Sequence, residues 1–161
     1  MSTFITYAEE MAAPYLERLD KIPAGQHLPA LDFGLLNAFQ IVDKAQRPGG
    51  PRGARYYAAA SMVARAASER VTTEIKAGPG SPPIVVVPPA VVMAAGRGDT
   101  HAEKVESIGG QVAAVLADCP MGSRPKAAQA ARCLKMLADR MAAAAFEADE
   151  AERNVDYLMN F

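Results

Sequence analysis

Apolar residues recur at intervals of three and four along most of this chain, and the stretches that break the rhythm are rich in proline and glycine. The first periodic stretch predicts a helix over about 3–21, with Phe4, Ala8, Met11, Tyr15, Leu19 and Ile22 on one face. Pro14 lies inside it and predicts a kink or a restart, because proline removes a hydrogen bond and crowds the preceding turn. After the loop IPAGQHLPAL, Asp32 is the expected N-cap of a helix through FGLLNAFQIVDKAQ. Phe33, Leu36, Phe39 or Gln40, and Val42 would face inward. The segment RPGGPRG, Arg47 to Gly53, cannot continue a helix. A third helix follows, with Tyr56, Ala60, Val63, Ala67, Val71 and Ile75 in one stripe and Gly78 as its terminator.

Two more helices are expected near the C-terminus. Thr100 and Glu103 have the spacing of a capping box before HAEKVESIGGQVAAVLADC, whose Gly109 and Gly110 predict a kink or a close helix passage. The last pattern is the most regular. Ala127, Ala130, Leu134, Leu137, Met141, Ala144, Ala148, Ala151, Val155 and Leu158 alternate by three and four without a slip. They predict one helix of roughly 33 residues, about 50 Å long at about 1.5 Å per residue. Such length implies a coiled-coil-like partner. Ala131, Ala138 and Ala145 widen its apolar face, which favours a bundle over a two-stranded zipper.

The fold class expected is therefore mainly α: a single domain over 1–161, a bundle of four to five helices with a long C-terminal helix. Between Gly78 and Asp99 the helical rhythm is lost, in GPGSPPIVVVPPAVVMAAGRGD. The apolar run from Ile84 to Ala95 is too short for the roughly 20 residues a membrane helix needs, so no membrane insertion is expected. Its β-branched residues suit a pleated surface, so a short β-hairpin or packed loop at about 84–93 is the main structural expectation. Pro88 and Pro89 would confine any strand to an edge. The functional alternative is an extended apolar arm, pre-stiffened by proline, whose Ile84, Val85, Val86, Val87, Val91 and Val92 enter a partner's groove or sheet. A strand, glycine turn and helix start also suggest an anion site at Gly96–Gly98. The sequence lacks the P-loop and dinucleotide patterns, however, and Asp99 would repel a phosphate.

Composition sharpens this picture. Alanine makes up roughly a fifth of the chain and tryptophan is absent, so a core of small residues needs closely approaching helices. The net charge of −1 does not suit a protein that coats nucleic acid. One basic stretch is nevertheless compatible with a nucleic-acid contact: Arg47, Arg52 and Arg55 for phosphates, with Tyr57 beside them to stack on a base. Candidate catalytic chemistry is sparse. His27 and His101 have no partners at metal-ligand spacing, and Cys119 and Cys133 read as small buried hydrophobes. A Cys–His pair formed by tertiary contact is left open. No metal, no cofactor and no catalytic residue is expected, and the chain is read as not an enzyme. With no signal-peptide pattern in MSTFITYAEEMAAPYLERLD, a cytoplasmic location is expected. The function expected is an assembly subunit or adaptor, with a protein partner or a homo-oligomer, using the long helix and the apolar arm. The alternatives are a small helical nucleic-acid-associated protein and a small enzyme with a site assembled from scattered residues.

Overall fold

The computed structural model describes residues 4–45, 53–78, 80, 84–120 and 123–159. Nearly all of these are helical: α1 Phe4–Asp20, α2 His27–Ala45, α3 Gly53–Ala77, α4 Pro89–Gly96, α5 His101–Ala117 and α6 Arg124–Met159. The mainly α class is as expected, but among the described residues there are six helices rather than four or five. Among the described residues no strand occurs, so the hairpin expected at 84–93 is not formed.

The proline pair explains that difference. Pro88 occupies the N-cap with φ −58° and ψ 140°, and Pro89 opens α4. Proline is suited to the first helical position, where its missing N–H costs nothing and its φ is already helical. The Pro88 carbonyl then accepts from Val91 N at 3.0 Å and Val92 N at 3.3 Å. A helix of eight residues containing two valines is marginal alone. Its stability comes from burying Val91, Ala94 and Ala95, and its principal neighbour is α5.

The centre of the bundle is an antiparallel pair, α3 and α6. Ser61 Oγ donates to the Ala138 carbonyl at 2.7 Å, and Ser68 Oγ donates to that of Ala131 at 2.6 Å. One helical turn pair further, an Arg124 guanidinium nitrogen donates to the Ile75 carbonyl at 2.6 Å. Each step of seven up α3 is a step of seven down α6, the repeat of a coiled-coil seam. A serine hydroxyl reaches a neighbouring helix's backbone only if the two axes lie close. The seam permits this because both helices bring small buried residues to the core, Ala60 and Ala64 on α3 and Ala127, Ala131, Ala138 and Ala145 on α6. Packed around this pair, α1 and α2 lie against α3, α5 against α6, and α4 against α5. The buried residues of all six helices join in one cluster.

The long C-terminal stripe thus finds its mate within the chain. Ala127, Ala130, Leu134, Leu137, Met141 and Ala144 are all buried, whereas Ala148 is half-buried and Ala151 exposed. Val155 and Leu158 lie outside the described side chains. Thr100 caps α5 as expected, its Oγ1 accepting from Glu103 N at 3.1 Å. The reciprocal arm of the capping box is shifted by one residue: Glu103 Oε2 accepts from Asp99 N at 3.4 Å, not from the N-cap's own N–H.

Other expectations need correcting. α1 continues through Pro14, whose ring lies on the exposed face, so the helix does not restart there. α2 starts at His27 rather than after Asp32, since a turn closed by Gln26 N on the Pro23 carbonyl leads straight into Ala30 N on the Gln26 carbonyl. The buried face of α2 is Leu31, Leu35, Ala38 and Ile41 with Val42, which leaves Leu36 exposed. On α3, Tyr57 rather than Tyr56 is buried.

The turn between α1 and α2 is held from α3. Arg70 donates to the carbonyls of Leu19, Ile22 and Pro23, the last at 2.8 Å, and its Nε meets Glu74 Oε1 at 3.0 Å. Glu74 Oε2 accepts from Gly25 N at 3.1 Å. Orphan carbonyls at the end of α1 and the turn's own N–H are satisfied together by one ion pair.

Candidate functional site

Residues 84–88 precede α4 with no regular secondary structure, and they run across α6. Gln129, on α6, donates its side-chain amide to the Val86 carbonyl at 2.7 Å. Val87 packs against the core and Val91 is fully buried. With these anchors below, the remaining apolar side chains of the segment face outward. Ile84 is 90% exposed, Val86 61% and Met93 66%, with Val85 and Val92 also exposed. The expected partner-binding set therefore divides. Ile84, Val85, Val86 and Val92 are available at the surface, while Val87 and Val91 serve as anchors. The segment is neither a hairpin nor a free arm but an apolar ridge fastened to the bundle.

The ridge separates two clefts. On one side Val85 meets Thr72, Ile75, Lys76, Ala128, Arg132 and Lys135 around a cavity of about 360 Å³. On the other Val86, Pro88 and Val91 meet Gln111, Val115 and Lys126 around a cavity of about 470 Å³. Large apolar groups exposed in so short a run are uncommon on a protein without a partner for them. Gln129, Arg132 and Lys135 escaped the sequence reading, because nothing local places them beside Val85 and Val86, more than 40 positions away in the chain. Lys76, nine residues before Val85, escaped it as well.

The basic stretch is arranged differently. Arg47 and Arg52 lie outside the described residues. The Arg55 guanidinium sits 4.7 Å from the centre of the Tyr7 ring of α1, a cation–π contact within the bundle. Tyr57 is only 7% exposed, so its ring offers no open face for stacking. Its burial follows from α3 packing on α1, α2 and α6 at once.

A Cys–His neighbourhood does form by tertiary contact. His27 at the start of α2, Cys119 after α5, and Ser123 and Arg124 at the start of α6 line one cleft of about 310 Å³. Burial pushes the Cys119 thiol up from its ordinary value, against a weaker opposite pull from Lys126, and Asp32 adds to the rise. A thiol held protonated is a poor nucleophile. His27 Nδ1 faces Glu74 Oε2 at 3.7 Å. The imidazole stands beside the ion pair that holds the turn, with its Nδ1 buried and making no hydrogen bond among the described residues. Cys133, midway along α6, is pushed by burial up to about 11. Both thiols are free. Among the described residues no group of acidic, histidine and cysteine side chains has metal-site geometry, and no helix is long and apolar enough to cross a membrane.

Comparison of the chain with protein-family models, with curated proteins and with solved structures gives no match.

Proposed function

We propose that this protein is a non-enzymatic assembly subunit or adaptor that docks a protein partner on the ridge formed by Ile84, Val85, Val86, Val92 and Met93. The observation that carries this reading is the outward exposure of these five apolar side chains while their neighbours Val87 and Val91 are anchored. Leaving such groups in water is unfavourable at about 25 cal/mol for each Å² of apolar surface, and a partner would relieve that cost. Anchoring favours recognition too, since a segment already held in place loses less conformational entropy when it binds. The long helix takes part as a platform. Its main apolar stripe is consumed by α3 and α5, but it carries Gln129, which holds the ridge.

The test is photo-crosslinking in cells that make the protein, with a photoreactive residue placed at Val86, at Val92 or, as a control, at exposed Glu17. Crosslinks to one defined protein from positions 86 and 92, absent from position 17, are expected. Val86→Asp combined with Val92→Asp should abolish the complex while leaving helix content unchanged, because neither side chain is in the core. Equal crosslinking from all three positions would refute the docking surface.

A further inference from the structure

The charges of α6 run against its own dipole. From Arg124 to Arg140 the helix carries Arg124, Lys126, Arg132, Lys135 and Arg140 against one acid, Asp139. From Met141 onward it carries Glu147, Asp149, Glu150, Glu152 and Asp156 against one base, Arg153. A helix N-terminus favours acids and a C-terminus favours bases. The order found here disfavours the isolated helix at both ends, and clustering of like charges adds to the penalty. Some of these groups have partners within the bundle: Asp139 with Arg65 at 2.8 Å, Asp149 with Arg153 at 3.0 Å and Glu147 with His101 at 3.6 Å. Arg132, Lys135 and Glu150 make no ion pair among the described residues.

These groups lie along the side of α6 opposite the core. Arg132, Met136, Asp139, Ala143, Phe146 and Glu150 follow one another at steps of four and three, a single stripe. None of them is fully buried, and Phe146 is 61% exposed although its ring meets that of Phe4 edge-on. Beside the middle of the stripe is a hollow of about 290 Å³ lined by Ala95, Met136, Asp139, Arg140 and Ala143.

A stripe that is basic at one end and acidic at the other, with Met136, Ala143 and Phe146 between them beside one acid, Asp139, already paired with Arg65, is complementary to itself when reversed. We propose that α6 docks against α6 of a second copy of this chain, antiparallel about a twofold axis at the level of Met141. In that register Arg132 meets Glu150, Lys135 meets Glu147, and Met136 with its hollow meets Phe146, each pair occurring twice. Near the axis Ala143 meets Asp139 and Ala142 meets Arg140, so at each of these positions one of the two side chains is small. No like charges are opposed, and an isologous contact of this kind closes at two copies. The proposal rests on the reading of the chain as an assembly subunit and uses a surface that adjoins the Ile84–Met93 ridge, since Arg132 and Lys135 also line the cleft beside Val85, but it does not use Val86 or Val92.

Sedimentation of the full chain tests it. The wild type is expected to be a dimer at ~0.1 M salt and to dissociate at ~1 M, where the screening length falls from about 10 Å to about 3 Å. Arg132→Glu/Lys135→Glu and Glu147→Lys/Glu150→Lys should each be monomeric with unchanged circular dichroism. An equimolar mixture of the two should dimerise again, because each stripe is then uniform in charge and opposite to its partner. Should either variant lose helicity, Arg132→Gln/Lys135→Gln serves instead and should weaken the dimer at least tenfold. A wild type that stays monomeric at ~0.1 M salt, reversed variants that stay dimeric, or a mixture that stays monomeric overturns the proposal. Val86→Asp should leave the dimer intact. A monomeric wild type that still crosslinks from Val86 would refute this interface and spare the ridge, whereas loss of the dimer in Val86→Asp would place it on the ridge and refute the α6 pairing.

Discussion

A Cβ added to Gly34 of α2 would stand 2.4 Å from the Cβ of Ala67 on α3, with Leu134 of α6 3.4 Å away. Two helices meet here with almost no side chain between them. The neighbour is the methyl of an alanine, which has no rotamer through which to retreat, so any relief requires the backbones to move apart. This contact puts Gly34 on the buried face of α2, so Leu36, two residues on and about 200° round the helix, is left in water.

Gly34→Ala is therefore expected to destabilise. Alanine gains about 1 kcal/mol of helix propensity over glycine, but overpacking a tight core typically costs about 1–3 kcal/mol, and here the clash should prevail. The melting temperature should fall, and Gly34→Ala/Ala67→Gly should recover part of the loss. Gly110, exposed on α5 with nothing within 4 Å of an added Cβ, supplies the opposite case. Gly110→Ala should raise stability by about 0.4–1 kcal/mol. A stabilised Gly34→Ala would show that the α2–α3 crossing is looser than the structure has it.

Ser61 and Ser68 should each contribute about 0.5–1.5 kcal/mol through their bonds to the α6 backbone. The two sites are seven residues apart on α3, about 10 Å, so urea denaturation of Ser61→Ala, Ser68→Ala and the double variant should give additive losses. Ser68→Val should cost more than Ser68→Ala, because its extra methyl must fit where only the hydroxyl reached across.

Glu74 should make stability depend on pH. Partial burial alone would raise its carboxyl, but the hydrogen bonds from Arg70 and the Gly25 N–H, with the charges of Arg70 and His27, together hold it below its ordinary value. A carboxylate with a lowered folded-state pKa stabilises the fold above its unfolded pKa and loses that contribution as pH falls through the folded value. Glu74→Gln should thus be less stable than wild type near neutrality. The gap should narrow in acid, as pH falls below the ordinary carboxylate range and through the lowered folded-state value, where the wild-type carboxyl becomes protonated as well. A gap that does not change with pH would mean that Glu74 acts by shape and not by charge.

The thiols report on local and global opening. Cys133 is fully buried in the core on α6, with its titration pushed up to about 11. Alkylation in native buffer should reach Cys119 first, through local opening after α5. It should reach Cys133 only at the rate at which the bundle opens, which mass spectrometry with increasing urea can follow. Equal labelling of the two thiols in native buffer would contradict the closed core.

Much of this architecture is written in local pattern. The helix class, the N-cap at Thr100, the interruption between α2 and α3 and the unbroken rhythm of α6 depend on neighbours within a few residues, and periodicity records those directly. The prolines of the ridge carried two meanings, since a β-branched run beside Pro88 and Pro89 suits an edge strand as well as a helix start. Burial of Val91, Ala94 and Ala95 beside α5 resolved it. A stripe also says that a face is apolar without saying what covers it. That α6 pairs with α3 of its own chain, that Ser68 reaches Ala131, and that Gln129 holds Val86 all depend on helix axes brought close by small residues far apart in sequence. Distance along the chain carries no trace of such contacts, because only the packed fold determines which small residues meet.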